Sequence, residues 1–527
     1  MKILPILVLL FCTGISAAQK TVMYRLILTD KGISPYSIDR PEEFLSPKSI
    51  DRRIRQGFPV DETDLPISPT YFDAVIETGA SIRTYSKWVK TIVVDVSNEE
   101  TVELLRELPF VSRLYPVWEG VITQAPFPFF TSGFYSELYG SSFTQISLQN
   151  GHLLHEQGYY GKNISIAVMD GGFLDADNIT CFDPSKILGV KNFTHENENP
   201  LRSIMDHGTK VLSCMLANQP QEMMGTAPEA EYYLFKTEVN GSEFPVEEDY
   251  WVAGVEYADS LGVDIVSTSL GYFTFPTKPE WDHTQSELDG QTVPASRAAS
   301  MAAYKGMILC NSAGNEQRNV WGKIAFPSDA DNILTVGAVA SDSTLASFSS
   351  VGYSSDGRVK PDIVAMGVNT TVWGPTGKRT DGNGTSFSCP IISGSVASLW
   401  QALPKLNSLE LMDLIRKSAN RYQNPDNEYG YGIPDFFKAY NEGKKEVSIP
   451  RSPLPGELVA SPEGNRLYIR NNDSPNARIS IYTTMGTKAM ETPATSAYID
   501  TSNLRKGIYI ACMQKEDKRY ICKFIKQ

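Results

Sequence analysis

The sequence predicts an α/β fold: a doubly wound parallel sheet at the centre of the chain, with an α+β unit before it and a small all-β unit after it. Three observations predict this. Between Gln145 and Tyr440, short apolar runs alternate with longer helical runs, the pattern of buried parallel strands joined by crossover helices. Ahead of that region, Thr21–Val117 reads strand, helix, strand, strand, helix, strand. Beyond it, Glu457–Gln527 reads as short strands alone. A chain of 527 residues has room for about three such domains.

Met1–Ala18 has one lysine, the apolar run Ile3–Phe11 and the small residues Ser16-Ala17-Ala18, the pattern of an export signal cut after Ala18. No later stretch is long and apolar enough to span a bilayer, so the expected product is exported and soluble. In the unit 19–118, Thr21–Thr29 alternates like a strand. The polar stretch Asp30–Pro66 interrupts it, and its basic patch Lys48–Arg55 is expected to be a solvated helix face. Ser68–Gly79 reads as a helix ended by glycine, and Ser81–Lys87 and Lys90–Val96 as strands. Ser97-Asn98-Glu99-Glu100 is a capping box before a helix with Val102, Leu105 and Leu108 on one face, and Phe110–Val117 closes the unit as a strand. The order is that of a ferredoxin-like unit. Residues 119–144 form a connector. Its proline- and aromatic-rich stretch has no helical or strand period, and its aromatic rings are expected to dock on a neighbouring surface.

In the central domain, 145–445, the expected strands are Ile164–Met169, Glu231–Lys236, Val263–Thr268, Met307–Cys310 and Ile333–Val339. The expected helices are Gly208–Ala217, Glu247–Leu261, Pro294–Lys305, Ser386–Trp400 and Ser408–Ser418. In such a fold, ligands meet at the carboxyl ends of the strands. Residues 446–456, with Pro450, Pro453 and Pro455, read as a linker, and 457–527 as a sandwich-like β-domain.

The balance is acidic, 48 Lys+Arg against 61 Asp+Glu, which argues against a nucleic-acid partner and against binding to anionic membranes. Cys181, Cys214, Cys310 and Cys389 are widely spaced, so no zinc site is expected, and the last three lie in apolar runs as core residues. Cys512 and Cys522 flank the polar turn Lys515–Arg519, and an exported chain is expected to bridge them.

The chain is organised around the stretch Asp381–Trp400, whose weight depends on whether the chain also supplies a base and an orienter. The glycine-rich loop Gly382-Asn383-Gly384-Thr385 delivers Ser386 to the start of a buried helix, with Pro390 in its first turns. Unpaired N–H groups and the helix dipole favour negative charge there, so a serine in that place can attack a carbonyl and hold the oxyanion, or it can simply cap the helix. Attack needs a histidine to take the proton and a carboxylate to hold that histidine. His152, His155, His195 and His283 stand in polar or loop-like contexts and are expected on the surface. His207 stands in Asp206-His207-Gly208-Thr209 at a helix start. Asp170 ends a strand before Gly171-Gly172, and Asn315 follows another strand, placed to donate to an oxyanion or to make a plain turn.

The order Asp170, His207, Ser386 resembles that of the subtilisin-like serine proteases. Val168-Met169-Asp170-Gly171-Gly172, His207-Gly208-Thr209-Lys210-Val211 and Gly384-Thr385-Ser386-Phe387-Ser388-Cys389-Pro390 look like that family's three motifs, and Ser269-Leu270-Gly271 like the segment lining its substrate groove. Lys210, Phe387, Ser388, Cys389 and Asp206 depart from its usual residues without touching the triad. The resemblance implies a doubly wound subtilisin-like domain and a secreted serine endopeptidase acting on protein or peptide substrates. In it Ser386 is the nucleophile, His207 the base, Asp170 its orienter and Asn315 the oxyanion donor. Thr21–Val117 is similar to the family's propeptide, which assists folding and then blocks the groove, making the chain a zymogen. Arg478–Tyr482, Asp500–Tyr509 and Lys523–Gln527 look like the C-terminal sorting domain of the Bacteroidetes type IX secretion system. That implies a Gram-negative source, passage through the periplasm, and delivery to the surface or medium by the type IX machinery. No cofactor is required for this chemistry. A structural calcium ion is common in the family, but no ligand cluster in the sequence assigns one. Gln317–Ala325 is expected to shape the pocket beside the scissile bond. Glu247-Glu248-Asp249 reads as first-turn acids suited to a helix dipole, with a preference for basic substrate residues as the lesser reading. A binding module on an inactive version of the fold would be expected to have lost a triad residue, and none is lost.

Overall fold

The computed structural model describes residues 22–119 and 138–448, apart from 97, 195–197 and 242, together with strand segments between 458 and 526. The expected export signal, the middle of the connector, most of the proline linker and His195 lie outside the described residues.

The central domain is built on a seven-stranded sheet, parallel throughout. From one edge to the other its strands are Ile363–Met366, Leu334–Val339, Ile308–Ser312, Ile265–Thr268, Ser165–Asp170, Glu231–Lys236 and Ile187–Asn192. From Ser165–Asp170 the chain passes to the edge strand Ile187–Asn192, returns to Glu231–Lys236 beside it, and then winds outward on the other side. The switch in winding therefore lies beside the strand that ends at Asp170, where an open α/β sheet places its ligand. Five of the strands were legible as apolar runs. The other two were not. Ile187–Asn192 is an edge strand with only Asn192 buried, and Ile363–Met366 is a four-residue strand at the other edge. The helix Thr385–Ala402 is buried along most of its length, including Ile391, Ile392, Val396, Ala397 and Leu399. Its sequence has no polar face, so it can only lie inside the domain, against the sheet. Cys214, Cys310 and Cys389 are core residues, and burial raises all three thiols above their ordinary range.

The amino-terminal unit forms a four-stranded antiparallel sheet in the order Ser81–Ser86, Thr91–Val96, Val22–Leu28, Val111–Glu119. One face packs under its own helices around Leu26, Ile92, Val94 and Leu105. The other face puts Met23, Val93, Val117 and Trp118 against Val239, Phe244, Val246 and Tyr250 of the central domain. The nearly continuous apolar run of Thr91–Val96 follows from this, since a strand covered on both faces needs no polar side. The helix Glu99–Glu107 is capped by Asn98, whose side chain accepts from the Thr101 N–H at 2.9 Å. The basic patch is solvated in part, with Arg55 exposed and the Lys48 side chain open to solvent. Arg52 and Arg53, on the helix Pro47–Gln56, are fully buried and paired with Asp259 of the central domain.

The C-terminal region holds a three-stranded and a four-stranded antiparallel sheet around a core that includes Leu467, Ile479, Ile481, Tyr509 and Phe524. The expected Cys512–Cys522 bridge is absent. In the hairpin Gly507–Lys515/Lys518–Lys526, Cys512 faces Ile521 and Cys522 faces Ala511. The two thiols are one register step apart and so lie on opposite faces of the pair. Among the described residues, no helix is long and apolar enough to cross a membrane.

Candidate active site

Asp170 is the last residue of its strand and is 1% exposed. One carboxylate oxygen accepts the Gly171 N–H at 2.8 Å. The carboxylate lies 2.9 and 3.0 Å from Nδ1 of His207, the first residue of the helix His207–Leu216. The Nδ1–H therefore points at the carboxylate, and Nε2 is left as the acceptor. Gly208 permits this approach: a Cβ there would stand 2.5 Å from the Gly172 carbonyl and 2.9 Å from Asp170 Cβ. Burial pushes the imidazole toward its neutral form. The charge and hydrogen bond of Asp170 outweigh that and hold its pKa above the ordinary histidine value. Asp206 and Lys210, two of the departures noted in the sequence, pair with each other at 2.8 Å across one helical turn around His207.

Ser386 is the second residue of the helix Thr385–Ala402. Pro390, four residues on, has no N–H to give the Ser386 carbonyl. That carbonyl accepts instead from Ser269 Oγ at 2.9 Å. Asn315 follows the strand Ile308–Ser312, and its Oδ1 accepts from both the N–H (2.9 Å) and the hydroxyl (3.1 Å) of Thr385. The side-chain amide is thereby oriented, with its oxygen occupied and its N–H₂ left to donate. Gly384, at φ 147°, precedes the helix, and a Cβ on it would stand 3.6 Å from the Ser386 nitrogen and 3.7 Å from Asn315 Nδ2. The glycine keeps open the space between the two donors that an oxyanion would need. Thr385 was missed as a positioning residue. The signal available was its place directly before Ser386.

Asp170, His207, Ser386, Ser269 and Leu270 line one cavity of about 390 Å³. The Gly271 N–H and C=O make no hydrogen bond among the described residues, which leaves them for an extended segment. Glu238 also lines the cavity and accepts from the Tyr272 hydroxyl at 2.7 Å, and burial pushes its carboxyl up to about 8. Phe387 packs beside the site, its ring 5.9 Å from that of His207.

Other expected surface groups are inside. Glu247 is buried and accepts the N–H groups of Val239 (2.8 Å) and Phe244 (2.9 Å), fixing the loop along the cavity. Glu248 and Asp249 stand in the first turn of the helix Val246–Leu261, as the dipole reading places them, and are buried there against Arg25 of the amino-terminal unit. Burial pushes Asp249 up to about 6, with Arg25 offsetting part of the rise. Of the remaining histidines, His283 is half-buried on Glu248. His155 is in the core between Tyr139 and the Thr226 carbonyl, and burial lowers its pKa to about 4. His152 is half-buried. Among the described histidines, only His207 pairs with a carboxylate in the cavity that Ser386 lines. Among the described residues, no group of three or more His, Cys, Asp or Glu is arranged to hold a metal ion.

An aspartate that orients a histidine, in a cavity that a serine at a helix start also lines and in that chain order, is the arrangement of an Asp-His-Ser hydrolase site. Comparison with known proteins makes the class narrower. The Subtilase family model matches residues 161–432, over half of the chain, and the chain belongs to that family. A Bacteroidota peptidase S8 propeptide domain matches residues 23–124, and a secretion system C-terminal sorting domain matches residues 461–527. Subtilisin NAT of Bacillus subtilis subsp. natto is 29% identical over 282 residues, 53% of this chain and 66% of that protein. Subtilisin of Bacillus pumilus is 28% identical over 282 residues, 92% of its length. The human membrane-bound transcription factor site-1 protease is 27% identical over 312 residues, 27% of its length.

Proposed function

We propose that the chain is a secreted serine endopeptidase made as a zymogen, and that Asp170, His207 and Ser386 are its catalytic triad. The observation that carries this is the Asp170 carboxylate holding His207 Nδ1 at 2.9 Å in the cavity that Ser386 lines. Ser386 attacks a peptide carbonyl, and His207 takes its proton and later gives it to the leaving amine. Asp170 stabilises the imidazolium. Asn315 Nδ2 and the Ser386 N–H receive the oxyanion. The substrate lies extended along Ser269-Leu270-Gly271. The segment Gln317–Ala325 shapes the pocket beside the scissile bond, tied at Ala325 N–H to the Ala313 carbonyl (3.1 Å) next to Asn315. The chemistry needs no cofactor.

Residues 22–119 act as an inhibitor in cis. Their last strand ends at Glu119, ion-paired with Lys278, and Trp118 packs on Phe244 of the loop along the cavity. The C-terminal domain is read by type IX secretion machinery after passage through the periplasm of a Gram-negative cell. A fluorophosphonate probe tests the central reading. It should label the processed protein on Ser386, and labelling should vanish in Ser386→Ala. Equal labelling of the variant sinks the assignment, and no labelling of the processed parent favours a binding module on an inactive fold.

A further inference from the structure

The propeptide grips the peptidase at a second place, far from the groove. The helix Pro47–Gln56 and the turn at Asp61–Asp64 lie at the amino ends of the sheet strands, around Asp259, Val263, Lys305 and Gly306. Val263 stands before the strand Ile265–Thr268 and Ser269 follows it, so the chain between them runs about 20 Å at about 3.3 Å per residue. The groove is thus at one end of the strand and this contact at the other.

The contact is an alternating series of charges. Asp259 of the peptidase takes Arg52 and, at 2.8 Å, Arg53 of the propeptide. Arg53 also meets Asp64 of the propeptide at 2.7 Å. Asp64 in turn takes Lys305 of the peptidase at 2.8 Å, and Asp61 takes the same ammonium at 3.1 Å. Arg52, Lys305, Asp64 and Asp259 are all 0% exposed. The two peptidase charges therefore have their only ion-pair partners, among the described residues, in the propeptide. Backbone contacts seat the helix: Ser46 N–H donates to the Ser260 carbonyl at 3.2 Å, and Gln56 bridges the Gly306 carbonyl (2.8 Å) and the Ser408 N–H (3.0 Å). Burial pushes Asp259 up, but Arg53 and Arg52 outweigh it and hold the carboxylate below its ordinary range. A charged series of this kind demands a partner with matching charges at fixed spacing.

We propose that Asp259, Lys305 and the carbonyls of Val263 and Gly306 form a dedicated docking site for the propeptide's helix Pro47–Gln56 and its Asp61–Asp64 turn, and that this site holds the propeptide independently of the groove. This rests on the reading of residues 22–119 as a propeptide acting in cis. It assigns to the polar stretch that interrupts the ferredoxin-like unit the task of recognising its own peptidase.

The test uses the full chain carrying Ser386→Ala, with a foreign protease's cleavage sequence in place of residues 126–131. After cutting, the release of the propeptide is followed by size exclusion and by its dissociation rate. Arg52→Ala/Arg53→Ala should speed release at least about 30-fold, the low end of what truncating a buried charge pair costs. Lys305→Met tests the same series from the peptidase side. Release within threefold of the parent in either folded variant overturns the proposal. If neither variant folds, hydrogen exchange on the cut parent decides. Amides at 259–263 and 305–307 should exchange several-fold faster once the propeptide has been removed, and unchanged exchange overturns the docking site. The inhibitor reading fails separately: a cut chain with Ser386 intact that is fully active while the propeptide stays bound would refute inhibition and leave docking standing.

Discussion

Ser269 donates its hydroxyl to the carbonyl of Ser386 at 2.9 Å, filling the place of the helical hydrogen bond that Pro390 cannot make. One side chain from the groove wall thus holds the residue proposed to attack. Ser269→Ala leaves that carbonyl without a partner in a partly buried site. The variant should lose about 1–3 kcal/mol of stability in urea unfolding, the usual cost of an orphaned buried acceptor. A loss below the error of the measurement would show that water replaces the hydroxyl.

The second prediction concerns pH. His207 works as a base only when neutral, and Asp170 raises its pKa above the ordinary histidine value of 6.5. kcat/KM should therefore fall as pH drops through a value above 6.5. Asp170→Asn removes the charge that stabilises the imidazolium, so the acid limb should move to lower pH while the rate at its plateau collapses. A pH–rate profile of the processed enzyme and of the variant checks both. A limb that stays in place on loss of the Asp170 charge would show that His207 is not the titrating base.

Asn315→Ala should lower kcat about 100–1,000-fold with little change in stability, a magnitude taken from removal of an oxyanion donor in a subtilisin. Thr385→Val removes the hydroxyl contact to Asn315 Oδ1 and keeps the backbone one, so its loss should be smaller than that of Asn315→Ala. Single-turnover kinetics on a peptide ester separates the two. Equal losses would mean that Thr385 acts on Ser386 by another route.

A chain ending at Ser448 should keep its peptidase activity when folded with its propeptide, and in its native host it should accumulate in the periplasm. The end point matters because the helix Phe436–Ser448 buries Phe436, Ala439 and Tyr440 in the central core, so a cut inside it would damage the enzyme itself. Normal surface delivery of the shortened chain, followed by cell fractionation, would refute sorting by the C-terminal domain.

The strands and helices around the site were legible because burial imposes local patterns. Ser165–Asp170, Glu231–Lys236 and Leu334–Val339 are apolar for most of their length since both faces of the sheet are covered. The helix Val246–Leu261 begins one residue from where the sequence places it. Asp170, His207 and Ser386 could be named from strand ends, glycines and a helix start. What the sequence by itself determined is this order of elements, because periodicity and turn chemistry act over a few residues; the residues proposed to react were picked out by the order of their motifs and the family resemblance. Only the tertiary structure decided which charges are buried. Arg52, Arg53, Glu247, Glu248 and Asp249 look like solvated helix faces in any window of sequence. Their partners, Asp259, the Val239 and Phe244 amides, and Arg25, stand up to 224 residues away. A charge enters a protein interior only when an opposite charge or a donor meets it there, and that meeting is made by the fold.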